Sequence, residues 1–122
     1  MNRKRKLKVA NNFKRPAVFL DRDGTINYDD GYTYKFSKLR FRPHVLKGLR
    51  YITKKKYFIF IVTNQAGIAK GKFKLSDLLI LNKKLKNYLK QNKIIISDIQ
   101  YCPYHPNAIL KRYKKISGYR KP

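Results

Sequence analysis

Short apolar runs alternate with amphipathic stretches along this chain, and the runs stop abruptly at polar clusters. Ala17-Val18-Phe19-Leu20 is the first such run and it ends at Asp21. A continuous apolar segment of this length reads as a buried parallel strand whose carboxyl end opens on a polar site. Residues 24–42 turn polar and aromatic, with Asn27, Asp29, Asp30 and Gly31 as turn formers, and predict an irregular excursion. Pro43 then starts a helix in which Val45, Leu46, Leu49 and Ile52 recur at helical spacing, and its basic end at residues 54–56 suits the helix dipole. A second apolar and aromatic run over residues 57–62 ends in Thr63-Asn64-Gln65, followed by Gly67 and Gly71. Ser76 is the expected N-cap of a helix that turns Leu78, Leu79, Leu81, Leu85, Tyr88 and Leu89 toward the core and stops near Asn92. Residues 94–96 and 99–101 hold a third strand, and the chain beyond Cys102 reads as loop.

Alternating strands and helices predict an α/β fold with a parallel sheet. Ligands of open sheets bind outside the carboxyl ends of the strands. The clusters at Asp21 and Thr63 both fall on that side.

Charge changes the picture more than length does. The 122 residues suffice for one domain and carry 31 Lys and Arg against six acids, all Asp, for a net charge of +25. Such an excess attracts polyanions, so a basic nucleic-acid-binding protein is a rival reading. The cations are spread along the whole chain, which speaks against one specific footprint, and no specific nucleic-acid partner is expected. Abundant Lys, Asn, Ile, Tyr and Phe are equally what drift toward A/T-rich codons produces. The single Cys102 cannot form an internal disulfide and suits a reducing cytoplasm. The basic opening of residues 1–8 leads into no apolar stretch long enough for a signal sequence or membrane span, so a soluble monomer without a membrane partner is expected.

The chemistry concentrates in Asp21-Arg22-Asp23-Gly24-Thr25. Two carboxylates this close are costly unless a cation holds them, and a hard divalent ion together with a substrate phosphate would do so. The first carboxylate can attack phosphorus, and the second can protonate the leaving oxygen and later deprotonate water. A turn with two solvated aspartates is the plain alternative.

Phe19-Leu20-Asp21-Arg22-Asp23-Gly24-Thr25-Ile26-Asn27 resembles the first motif of the HAD-superfamily phosphatases, and the stretch from Val62 through Thr63-Asn64-Gln65-Ala66 to Gly71 resembles the second. Gly-Ile-Ala-Lys-Gly with Phe73, and Asp29-Asp30-Gly31-Tyr32 in the excursion, are similar to the D-glycero-D-manno-heptose 1,7-bisphosphate 7-phosphatase branch, a relative of the histidinol phosphatases. The resemblance implies a three-layer Rossmann-like HAD fold, incomplete at the C-terminus, with residues 1–16 a basic tail and 17–122 a partial phosphatase domain. It implies Asp21 as nucleophile, Asp23 as acid/base, and magnesium held by the Asp21 side chain and the Asp23 main-chain carbonyl. Thr63, Asn64, Gln65 and Ala66 would bind the phosphoryl group. Asp29, Asp30, Gly31 and Tyr32 would contact the phosphosugar, though Asp29, Asp30 and Tyr32 serve equally well as plain turn residues.

Arg120-Lys121-Pro122 resembles the third motif, in which the pair balances the charge of nucleophile and phosphate. Cys102 matches one ligand of the family's structural zinc loop, but Tyr104, Ser117 and Tyr119 stand at the other three positions, so Cys102 is at most a remnant and zinc is not expected. The family's later acidic motif, which completes magnesium coordination, would follow Pro122. The implied activity is removal of the 7-phosphate during synthesis of the lipopolysaccharide core heptose, and an inactive, decayed fragment of such an enzyme is the alternative.

Overall fold

The computed structural model describes residues 15–106 and 111–113. In chain order these form β1 (Ala17–Leu20), α1 (Val45–Lys54), β2 (Phe58–Asn64), the short α2 (Ala66–Ala69), α3 (Leu75–Gln91) and β3 (Asp98–Cys102), with 3-10 turns at Phe36–Lys38 and Lys111–Tyr113. The strands make one parallel sheet in the order β1-β2-β3. Just ahead of β1, Phe58 N–H donates to the Pro16 carbonyl at 2.9 Å, and Arg15 lies 4.0 Å over the Phe58 ring.

Parallel neighbours require crossovers, and right-handed crossovers between sequential strands carry both helices to one face of the sheet. That face holds the core. Ile59 and Ile61 of β2 meet Leu49 of α1 and Leu85 and Leu89 of α3, with Leu20 and Ile99 packed at the flanks. A smaller cluster of Leu39, Ile68, Phe73, Leu78 and Leu81 seats the excursion against α3. The opposite sheet face is open: Phe19 stacks on Phe60 with centroids 5.2 Å apart yet remains 68% exposed. Of the three layers implied by the resemblance, the described residues therefore form two.

The expected parallel α/β organisation is found, and the limits of β1 coincide with the apolar run. Other boundaries differ for identifiable reasons. Lys74, not Ser76, is the N-cap of α3, because the Asp77 carboxylate accepts the Lys74 N–H at 2.9 Å and fixes the start two residues earlier. Leu79 is 47% exposed, since the inward stripe runs through Leu78, Leu81, Leu85 and Leu89 and turns its neighbour outward. Ile94 and Ile96 are buried but lie ahead of β3, filling the core as the chain returns from α3. Among the described residues no helix is long and apolar enough to cross a membrane.

This layering predicts an asymmetry. Leu85→Ala should cost about 2–5 kcal/mol in urea denaturation, and Phe19→Thr less than about 1 kcal/mol. Equal losses would mean that the outer sheet face is covered in solution.

Candidate active site

Leu20 pairs with Ile61 in register, so Asp21 leaves β1 beside the last residues of β2. Asp21 is itself exposed. The chain then closes a tight loop in which the Arg22 carbonyl accepts the N–H groups of Thr25, Ile26 and Asn27 at 3.1, 2.8 and 3.2 Å, and Gly24 N–H donates to the Asn27 carbonyl at 2.7 Å. Gly24 has φ +86°, a conformation that side chains resist. The sharp turn brings Asp23 back over the strand end.

Asp23 is the most heavily tied side chain of the site. Its Oδ1 accepts from Arg22 Nε at 3.0 Å and Nη2 at 2.8 Å and from Asn27 Nδ2 at 3.0 Å. Its Oδ2 accepts from Gln65 Nε2 at 3.2 Å. Arg22 is wholly buried, and its Nη2 also donates to the Thr33 carbonyl at 3.1 Å, reaching into the excursion.

Thr63 stands near the carboxyl end of β2 and is buried. Its Oγ1 accepts from Gln65 Nε2 at 2.9 Å, so a single amide nitrogen joins Thr63 to Asp23. Gln65 N–H donates to the Cys102 carbonyl at 2.9 Å, which seats the loop on the end of β3. Asn64 closes β2, and Ala66 opens α2. At Gly67 a Cβ would lie 2.4 Å from the Phe73 ring and 2.7 Å from the Tyr32 ring, so glycine is what allows Tyr32 to rest on this loop.

In the excursion, Asp29 serves its own turn, accepting the Gly31 N–H at 3.3 Å, with Gly31 at φ +93°. Asp30 forms a two-pronged ion pair with Arg40, Nε to Oδ2 at 2.9 Å and Nη2 to Oδ1 at 2.7 Å. The Arg40 hydrogen bonds hold the Asp30 carboxyl below its ordinary range. Asp30, Tyr32 and Arg40 share the wall of one open cavity with Lys35 and Lys38.

The predicted residues Asp23, Thr63 and Gln65 are thus joined in one hydrogen-bonded network, with Asp21 beginning the same loop. Arg120 and Lys121 lie outside the described residues, as do Ser117 and Tyr119 of the zinc comparison. Sequence reasoning passed over Arg22, Asn27 and Thr33 as site residues. Arg22 carried a signal nonetheless, because a cation between two aspartates is their nearest counter-charge.

For a metal, the Asp21 carboxylate and the Asp23 carbonyl are hard oxygen donors of the kind magnesium takes, with water and phosphate completing its shell. The Asp23 carboxylate is occupied by its donors. No group of three His, Cys, Asp or Glu gathers among the described residues, and Cys102 is a buried free thiol there.

No family model matches this chain. It is 38% identical over 109 residues to the D-glycero-beta-D-manno-heptose-1,7-bisphosphate 7-phosphatase of Rhodopseudomonas palustris, covering 89% of this chain and 61% of that protein. It is 41% identical over 107 residues to the protein of the same name from Photorhabdus laumondii, covering 88% and 57%. The chain therefore spans little more than half the length of these curated relatives. Among solved structures, a HAD-like phosphatase from Mesorhizobium loti superposes with a TM-score of 0.79 at 31% identity, covering 88% of this chain and 51% of that one. The D,D-heptose 1,7-bisphosphate phosphatase of B. bronchiseptica, complexed with magnesium and phosphate, gives 0.70 at 28%, covering 75% and 52%.

Two outcomes follow from the geometry. Asp23→Ala strands a buried guanidinium and should destabilise the fold by about 3–5 kcal/mol in urea denaturation; a loss within about 0.5 kcal/mol, as at an unremarkable surface position, would refute the assigned network. For Asp30, the lowered carboxyl means that its ion pair contributes above the unfolded-state pKa and is lost as pH falls through the folded-state pKa. Arg40→Met should raise the Asp30 midpoint toward the ordinary carboxylate value in a carbon-detected NMR titration, and added salt should do so partially. An unmoved midpoint in Arg40→Met would exclude Arg40 as the cause.

Proposed function

We propose, from this chain's similarity to the heptose bisphosphate and HAD-like phosphatases, that residues 17–122 form a phosphatase-type domain behind a basic tail of residues 1–16, acting on the 7-phosphate of D-glycero-D-manno-heptose 1,7-bisphosphate. The observation that carries this reading is the Gln65 amide, which bridges Asp23 and Thr63 and so ties together the two strand ends that must share one phosphoryl group.

Asp21, exposed at the end of β1, attacks phosphorus in line; its carboxylate oxygen bonds to phosphorus as the bond to the sugar oxygen breaks. Asp23 supplies the proton to that leaving oxygen and then takes one from the water that cleaves the aspartyl-phosphate. Oδ1 of Asp23 is committed to Arg22 and Asn27, whereas Oδ2 accepts only the longer Gln65 bond. Oδ2 is accordingly the oxygen that exchanges the proton. Thr63 and Asn64 bind phosphoryl oxygens, with Gln65 and Ala66 beside them. Asp29, Asp30, Gly31 and Tyr32 border the sugar, with Asp30 acting through Arg40, and Arg120 and Lys121 balance charge. The Asp21 carboxylate and the Asp23 carbonyl are the groups that would hold a magnesium ion, which would supply charge neutralisation for the phosphate. A cytoplasmic monomer serving lipopolysaccharide precursor synthesis completes the reading.

Within residues 1–122 no acid follows Asp98, so these residues by themselves offer the metal only the Asp21 motif. Hydrolysis of the heptose bisphosphate by residues 1–122 should therefore be slow, measured as magnesium-dependent phosphate release, while phosphosugar binding persists in NMR titrations. Appending the acidic C-terminal segment of a longer relative should raise the rate, and Asp21→Asn should abolish the gain. A rate in the extended chain that is indifferent to Asp21→Asn would overturn the assignment of the nucleophile.

A further inference from the structure

Away from this site, Lys47, Arg50, Tyr51, Thr53, Lys54 and Lys93 line one groove. Four cations and two hydroxyls converge there without a carboxylate. Residues 43–97 contain a single acid, Asp77, and its carboxylate is engaged at the opposite end of α3 by the Lys74 N–H. An amphipathic helix ordinarily shows charge to solvent, and helix C-termini attract cations, so Lys54 and Lys93 taken singly would need no further reason. Two observations go beyond that.

First, the cations come from α1 and from the turn that follows α3, and are fixed relative to each other. Lys93 sits just past α3 in a left-handed conformation, φ 63°, and Ile94 N–H closes the helix end on the Leu89 carbonyl at 2.9 Å. Ile95 N–H donates to Thr53 Oγ1 at 3.3 Å, pinning this turn to α1. Like charges held together in this way raise a local positive potential. Second, Tyr51 stands among them with 63% of its surface exposed and the Lys55 ammonium 5.4 Å from its ring centroid. Its outer surface remains open to water.

A cationic track with an exposed aromatic platform fits a phosphodiester backbone whose bases are unpaired. We propose that the groove between α1 and the end of α3 binds single-stranded nucleic acid without sequence preference, with phosphates on Lys47, Arg50, Lys54 and Lys93 and a base stacked on Tyr51. Both helices run from the strand carboxyl ends back to the opposite edge of the sheet, so this surface is separate from the Asp21 site and independent of the phosphatase reading.

The test is fluorescence anisotropy of the full chain with a labelled oligothymidylate, a duplex of equal length and anionic phosphatidylserine vesicles, across a salt series. Replacing Lys47, Arg50, Lys54 and Lys93 together by Gln should weaken single-strand binding by more than about tenfold and flatten the salt dependence. The charge-matched replacement of Lys72, Lys74, Lys83 and Lys84 should change it by less than about threefold. Tyr51→Ala should weaken the single strand by about tenfold and leave the duplex unchanged. Cross-linking of an iodouracil-substituted strand to the unmodified chain should map to Tyr51, a readout independent of whether the variants fold. Equal losses in the two quadruple variants, a cross-link elsewhere, or a loss confined to vesicles would overturn the proposal.

Discussion

The buried guanidinium of Arg22 is the constraint on which the site depends. A charge taken wholly out of water is untenable without a partner held in good geometry. The partner here is the next residue, Asp23. Bringing adjacent side chains together forces the backbone into a tight loop, which Gly24 permits through its positive φ and the Arg22 carbonyl secures by collecting three N–H groups. The remaining donors then recruit other elements: Arg22 reaches Thr33 in the excursion, and Asp23 draws in Asn27 and Gln65. One ion pair thereby fixes the strand end, the loop after β2 and the start of the excursion relative to one another.

In the proposed mechanism this arrangement divides the labour of the two aspartates. Asp21 is exposed, as the proposed nucleophile would have to be. Asp23 is immobilised, and a proton-transfer group gains from being held at one distance and angle. Fixing Asp23 through Oδ1 while Oδ2 has, among the described residues, a single longer hydrogen bond would serve both the anchoring and the exchange that the proposed role needs.

Much of this was legible in the chain. Abrupt transitions from apolar to polar residues marked the ends of β1 and β2, because a parallel strand covered by helices needs apolar residues until it emerges at a site. Helical periodicity located α1 and α3. What stayed hidden depended on contacts distant in sequence or on local competition. The cap of α3 was decided by Asp77, three residues beyond Lys74, and not by the conventional capping residue Ser76. The bridging of Asp23 and Thr63 by Gln65 joins residues 42 apart with respect to Asp23, and no local pattern announces such a link. The open sheet face was also hidden, since Phe19 and Phe60 look like core residues in a linear reading, and Phe19 is left exposed on a half-buried Phe60 only once both helices choose the other side.

Charge was the feature that sequence order described least well. Read linearly, the cations are scattered, but the fold sorts the acids more strictly than the bases. Asp21, Asp23, Asp29 and Asp30 belong to the loop and excursion after β1, Asp77 to the start of α3, and Asp98 to the start of β3. The helical layer between residues 78 and 93 and along α1 is left without any acid. The two regions proposed to take anions would consequently work by different physics. At the strand ends, carboxylates would oppose an incoming phosphate, so attraction there would have to come from oriented hydroxyl, amide and guanidinium donors and from a metal. Along the helices nothing opposes it, and attraction is a matter of net potential, which salt weakens over about 10 Å at 0.1 M. A phosphate monoester held for reaction needs the first kind of site, because position governs the rate. A flexible polyphosphate chain needs only the second, because any register along it will serve.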